Sequence, residues 1–304
     1  MPIASTSTET YEVILKNLRK GLGAPQGLDF LLDFEKVKNW LETNPTKKTK
    51  KPLSHNSLKT YYSAIRYALR DEPKFASVVS RYGEELKKYI DEIKQRDDDQ
   101  KLTEDEKKKW ICWSCVEEVR NKLLEVYEDE PTWMNYQDYL ILCLYSLQEP
   151  IRLDYAPMRF VEEAPEDSIE NFCVLKDDTA KFILNSYKTA KKYGTITLEA
   201  PPNLVSVLTK WRKLNKTEHL LVKGMDRRPM NTQELGLAIK DIFTTQINIG
   251  ATVNILRHAY RTSLHEGEPS LADQKETSRR MGHSVLMGQR YRRIDAEQNN
   301  QDTV

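Results

Sequence analysis

The 304-residue sequence has no run of about 18 apolar residues, so it offers no segment that would cross a bilayer as a helix. Its first residues, MPIASTSTETYE, lack the positive region and apolar stretch of a secretory leader, and a soluble, non-secreted protein is expected. An excess of charge of one sign is also missing. Lys+Arg number 47 against 46 Asp+Glu, a net charge of +1, which excludes a body that clings to polyanions by bulk charge. Cysteine is scarce: Cys112, Cys115, Cys143 and Cys173 are too few and too scattered for a disulfide framework. The Cys112-Trp-Ser-Cys115 pair invites a zinc or redox reading, but no second CxxC or HxxxH follows it and the segment reads as helix. Buried, reduced thiols are therefore expected.

The length favours two domains, and 39% hydrophobic residues with 15 Tyr and 5 Trp supply enough apolar surface for sizeable cores. Charge is segregated along the chain. Residues 43–74 carry eight Lys/Arg against two acids, and residues 181–216 eight against one. Ten acids gather in residues 84–106 and seven in 162–178. Two basic blocks separated by acidic ones suggest one face for an anionic partner and another kept away from it.

Helical apolar spacing covers residues 10–20 and 28–41, and the Lys-, Thr- and Pro-rich stretch 44–52 reads as a loop. From Ser54, a plausible N-cap, Leu58, Tyr61, Tyr62, Ile65 and Leu69 fall on one helical face. Lys59, Ser63, Arg66 and Arg70 share the other, a cationic stripe suited to a phosphate backbone. Residues 75–96 read as a fourth helix, and residues 95–105 as a charged linker. Further helical patterns lie at 110–127, 133–147, 203–214, 232–244, 255–264 and 273–281. Between them 172–175, 182–186 and 195–198 read as a three-stranded antiparallel meander. The expected fold is mainly α with that small sheet (α+β). It comprises a helical domain over residues 1–100 and a second domain over 101–304.

Five short motifs stand in order in the second half. Gln148-Glu149-Pro150-Ile151-Arg152-Leu153-Asp154-Tyr155 puts an arginine just after a helix, and Tyr187-Lys188-Thr189 puts a lysine after the second strand, with Lys191 and Lys192 as rivals. Asn254-Ile255-Leu256-Arg257-His258-Ala259-Tyr260-Arg261-Thr262, then Met281-Gly282-His283-Ser284, then Tyr291 complete the series. This series resembles the catalytic domain of the tyrosine recombinases or integrases, and the helical domain of residues 1–100 resembles that family's core-binding, DNA-binding domain in size and in its helix from Ser54 to Arg70. One departure is plain: Asn254 stands where the family's His-x-x-Arg motif has its histidine. An amide can hydrogen-bond a phosphate oxygen but cannot take a proton at neutral pH. His258 points about 100° away from Arg257 on a helix and is read as a packing or capping residue.

The resemblance implies a catalytic set of Arg152, Lys188, Arg257, His283 and Tyr291. DNA contacts are expected from Lys59, Arg66, Arg70, Lys191, Lys192, Asn254 and Arg261. Two guanidiniums, permanently charged and forked, would neutralise the scissile phosphate. His283 would donate a further hydrogen bond, Lys188 would protonate the leaving 5′-oxygen, and Tyr291 would attack to form a 3′-phosphotyrosyl bond. Asp154 or Tyr155 falls where the family often has an acid that buttresses an arginine. No metal and no nucleotide cofactor is expected, since no paired-carboxylate cluster or HxH accompanies these residues. The partner would be double-stranded DNA, held in a two-domain clamp and synapsed by a homotetramer, inside a cell or viral compartment and with no membrane. A site-specific recombinase or integrase of a mobile element or virus is the leading reading. The alternatives are a DNA-binding protein of the same fold that cuts poorly because of Asn254, and a type IB-like topoisomerase.

Overall fold

The computed structural model describes residues 5–44 and 51–294, and most of the 44–52 loop, with Lys47, Lys48 and Lys50, lies outside them, as does the polar run 295–304. Two compact units divide the chain, residues 1–99 and residues 100–304, each with its own apolar core. The first is entirely helical: α1 (Ser5–Gly21), a 3-10 turn at Asp29–Leu32, α2 (Phe34–Thr43), α3 (His55–Leu69), a 3-10 turn at Pro73–Phe75 and α4 (Ala76–Asp98). Asp33 and Ser54 start α2 and α3 by accepting the amides of Lys36 and Ser57, each satisfying a donor that the first turn leaves unpaired. Leu58, Tyr62, Ile65 and Leu69 of α3 pack with Tyr82, Leu86 and Tyr89 of α4, and the buried Tyr82 hydroxyl donates to Leu31 O at 2.8 Å.

The second unit begins with α5 (Glu104–Lys107), α6 (Trp113–Asp129) and α7 (Trp133–Ser146). Residues 140–145 of α7 are buried without a break, which makes α7 the central helix of the core rather than an amphipathic surface one. Strands β1 (Arg159–Val161), β2 (Phe172–Lys176) and β3 (Thr179–Leu184), the short helix α8 (Ala190–Tyr193) and strand β4 (Ile196–Glu199) follow. After them come α9 (Pro202–Asn215), a small hairpin of β5 (Val222–Lys223) and β6 (Arg228–Pro229), α10 (Thr232–Ile247), α11 (Val253–Glu266), α12 (Leu271–Arg280) and α13 (Val285–Tyr291).

The sheet differs from the expected antiparallel meander of three strands. It has four strands in the order β1-β2-β3-β4, and β1 runs parallel to β2 with Arg159 opposite Phe172. The other pairs are antiparallel, with Phe182 of β3 opposite both Cys173 and Leu198. Three residues cannot display a period of two, and β1 is held by groups distant in sequence. Phe160 N donates to Glu218 O at 2.6 Å, Leu220 N to Met158 O at 2.8 Å, and Arg159 pairs with Glu170 at 2.5 Å. A similar shortness hid β5, β6 and α8, the last of which occupies the expected turn.

The thiols also differ from expectation. Cys112 and Cys115 are joined by a disulfide, while Cys143 and Cys173 are free and buried. Cys112 is not inside the helix but is its N-cap, in extended conformation, and its sulfur accepts the Cys115 amide. That cap turns the two side chains toward each other across the first turn. Among the described residues no helix is long and apolar enough to cross a membrane.

Candidate active site

Helix α11 buries a polar face. Arg257 and Arg261, one helical turn apart, are 1% and 0% exposed, and His258 and Thr262 accompany them. Burying a guanidinium costs several kcal/mol unless its donors are met, so what meets them defines the site. Arg257 donates to Pro150 O at 2.7 Å and to Met281 O at 3.3 Å. Those bonds join α11 to the segment after α7 and to the turn after α12. Both acceptors are main-chain carbonyls, and the charge of the half-buried Asp154 also acts on Arg257. Its guanidinium carbon lies 4.9 Å from the ring centroid of the neighbouring Tyr291.

Arg152 follows two residues after Pro150, and its main-chain oxygen accepts the Tyr145 hydroxyl at 2.7 Å. The Gly-His turn comes close to it. Gly282 has φ +68°, a left-handed conformation that favours glycine, and a Cβ there would stand 3.3 Å from the Tyr187 ring and 3.8 Å from Arg152 Nη1. Thr189 Oγ1 donates to Gly282 O at 2.8 Å, which ties the Lys188 segment to the same turn. Lys188 is exposed, and its field reaches the Tyr291 phenol. Four chain segments thus meet around Tyr291, the last residue of α13.

The electrostatics follow from this crowding of cations. Burial by itself would raise the Tyr291 pKa, but Arg257, Arg152 and Lys188 together outweigh it and hold the phenol below its ordinary value. Burial and the neighbouring Arg257 push His283 down to about 3, so its imidazole is neutral at physiological pH. His283 is 5% exposed and stacks on Tyr291 with ring centroids 5.3 Å apart. Its Nδ1 lies 3.0 Å from Ser284 O, which assigns the proton to Nδ1 and leaves Nε2 as a buried lone pair without a hydrogen-bond partner. Asp154 is raised by burial even though Arg152 and Arg257 both draw it down. Tyr155 is fully buried, accepting from Gln148 and donating to Leu144 O, and has no part in the cation cluster.

Of the expected DNA contacts, Asn254 is exposed in the first turn of α11, and Lys191 and Lys192 are exposed on α8. In the first unit Arg66 is exposed beside Gly83 of α4, and Lys59 is half-buried. Arg70 folds back, its guanidinium carbon 3.8 Å above the Tyr67 ring and its Nε 3.0 Å from Asp71 Oδ2. Arg261 is a correction. It is fully buried, donates from Nε to Gly288 O at 3.2 Å, and has no surface from which to touch DNA. Being four residues from Arg257, it shares the inward face of α11.

Several residues around Tyr291 escaped sequence reasoning. His258 Nδ1 donates to Tyr291 O at 2.7 Å, and burial lowers its pKa to about 4. Arg293 Nη2 lies 3.3 Å from His258 Nε2 and 3.2 Å from Glu106 Oε1. The Leu-Arg-His sequence pointed to His258 as a packing residue, but no sequence signal joins Glu106 to it across more than 150 positions. No group of three or more His, Cys, Asp or Glu side chains that could hold a metal ion is present among the described residues.

No protein-family model matches the chain, and no curated protein matches it. Solved structures similar to the chain include two that match it over nearly the whole length. XerA recombinase is 15% identical with a TM-score of 0.43, over 99% of this chain and 93% of that one. The Tn1549 transposon integrase, in complex with transposon right end DNA, is 12% identical with a TM-score of 0.39, over 97% and 98%. Both likenesses are loose, so the chemistry of the site rests on its own geometry.

Proposed function

We propose that the chain is a site-specific DNA recombinase or integrase that cleaves and rejoins DNA through Tyr291. The observation that carries this is a phenol set against a buried arginine whose donated hydrogen bonds go to main-chain carbonyls, with a second arginine and a lysine close enough to lower its pKa. A tyrosine in a structural role has no need of three cations. A phosphodiester does, because in-line attack spreads negative charge over the non-bridging oxygens.

Arg152 and Arg257 would bind those oxygens. The Tyr291 oxygen attacks phosphorus as its proton passes to water, the P–O5′ bond breaks, and Lys188 gives a proton to the 5′-oxygen. Religation reverses these steps with a different 5′-hydroxyl. His283 begins neutral, and an incoming phosphate, by offsetting the arginine charges that depress its pKa, favours the protonated form that can donate from Nε2. Lys59, Arg66, Lys191, Lys192 and Asn254 would contact the backbone of the duplex, and two protomers on each of two duplexes would form a tetrameric synapse. A second reading, a DNA-binding protein that cuts poorly, is favoured by Asn254, since an exposed amide supplies no general base.

A library of nicked duplexes with randomised sequence, incubated with the protein and then with detergent and potassium, traps covalent protein–DNA adducts whichever sequence the protein prefers. Wild type should yield adducts and Tyr291→Phe none, with DNA affinity nearly unchanged because one hydroxyl and no cation is lost. Equal recovery from the two proteins would remove Tyr291 as the nucleophile.

A further inference from the structure

The segment that carries Tyr291 is held by the residues with which the second unit begins. Gln100 Nε2 donates to Gln289 O at 2.6 Å, and Ile294 N donates to Gln100 O at 3.0 Å, so one residue grips the chain on both sides of the tyrosine. Glu106 continues the hold. Its Oε2 accepts the Thr103 amide at 2.8 Å, closing a capping box that fixes α5, while its Oε1 accepts from Arg293 Nη2 at 3.2 Å. Arg293, 5% exposed, passes the constraint on through His258 Nε2, and His258 donates from Nδ1 to Tyr291 O. Arg293 N also donates to Thr262 Oγ1 at 3.0 Å, which pins the residue to α11.

We infer that residues 100–106 form a strap that positions Tyr291 among its cations, with Gln100 and Glu106 as positioning residues. The inference rests on the reading of Tyr291 as nucleophile. A short helix whose last residue must meet a phosphate in line gains little from its own seven residues, because each of its ends leaves main-chain groups unpaired. Ser284 caps the first end, and the strap supplies partners at the second through part-buried polar bonds, where a displacement of about 1 Å at a reacting atom is enough to lose much of the rate.

The test needs no DNA. 3-Fluorotyrosine placed at position 291 reports its ionisation by fluorine NMR in the full-length protein. Its midpoint in the otherwise wild-type protein should lie below that of free fluorotyrosine. Gln100→Ala and Glu106→Ala should each raise it, by on the order of one unit if the phenol leaves its cations, and speed hydrogen exchange at the amides of 288–294 about tenfold or more. Glu106→Gln, which keeps one acceptor oxygen and turns an NH2 towards the other donor, should raise the midpoint less than Glu106→Ala. The direction is decisive, because removing the Glu106 charge without moving Tyr291 would lower the midpoint. Unmoved or lowered midpoints in both alanine variants, or faster exchange with no change of midpoint, would overturn the strap. Gln100→Ala, which deletes one side-chain bond, carries the test alone if Glu106→Ala does not fold. Absence of DNA adducts in the wild type would remove the nucleophile role and leave the fluorine result standing.

Discussion

At the scale of single residues, Asn254 and the two buried histidines separate chemistry from stability. If the arginines and Lys188 carry most of the rate and Asn254 only contacts phosphate, Asn254→His should change adduct formation by less than about tenfold. If the missing imidazole cripples the site, the same substitution should raise it by roughly 10²- to 10⁴-fold, the usual span of general acid–base assistance. Adduct yield from the nicked library, compared between the two proteins, decides. His258 and His283, whatever the part of His283 in the chemistry, both weigh on folding. Their folded values of about 4 and about 3 lie below the ordinary 6.5, so in that window the unfolded chain binds protons that the folded protein refuses. Their contribution is complete above pH 6.5 and is lost as pH falls from there towards 4 and then 3, on the order of 1 kcal/mol per pH unit for each. Chemical denaturation between pH 7 and pH 4 should therefore show a steep loss of stability. His258→Gln, weaker at pH 7, should show a shallower one, and parallel pH profiles would contradict the assignment.

At the scale of elements, α13 owes its place to what lies beneath it. Arg261 reaches under Gly288, where a Cβ would stand 2.7 Å from Arg261 Nη2 and 2.9 Å from Ser278 Oγ. A fully buried guanidinium in a packed layer has nowhere to withdraw. Gly288→Ala should cost about 1–3 kcal/mol as an overpacking change and displace Tyr291, lowering adduct yield more than DNA affinity. An alanine variant with wild-type stability and yield would show that α13 can slide freely. The same geometry explains why sequence alone misplaces Arg261. A sequence sets it in a motif rich in DNA-contacting residues, and only the rotation of α11 against α12 and α13 shows that positions 257 and 261 both face inward.

At the scale of the whole molecule, the near-zero net charge makes segregation the only electrostatic route to DNA. If the exposed lysines and arginines contact phosphates, binding should weaken steeply with salt, log K against log salt falling by roughly 0.9 for every phosphate neutralised. A slope near zero between low and moderate salt would exclude a phosphate-contacting surface. Light scattering of the protein with two duplexes carrying its site should reach the mass of a tetramer. A complex that stays at two protomers would contradict tetrameric synapsis while leaving the cleavage chemistry intact.

Periodicity and capping residues made the long helices legible, because a helix is written in contacts three and four residues apart. Ser54 at the start of α3 and the apolar face running to Leu69 needed nothing from the rest of the chain. Arg152, Lys188, Arg257, His283 and Tyr291 could be singled out by order, since each sits in a short motif of its own. Tertiary structure decided what distance in sequence conceals. It added β1, a three-residue strand made by partners at 170 and 218, joined Cys112 to Cys115 by making the former a helix cap, and turned Arg261 inward. It also brought Gln100 and Glu106 to the flanks of Tyr291. Local order is set by neighbours along the chain, whereas a charge buried between segments is set by which segments meet, and no pattern within any one of them records that.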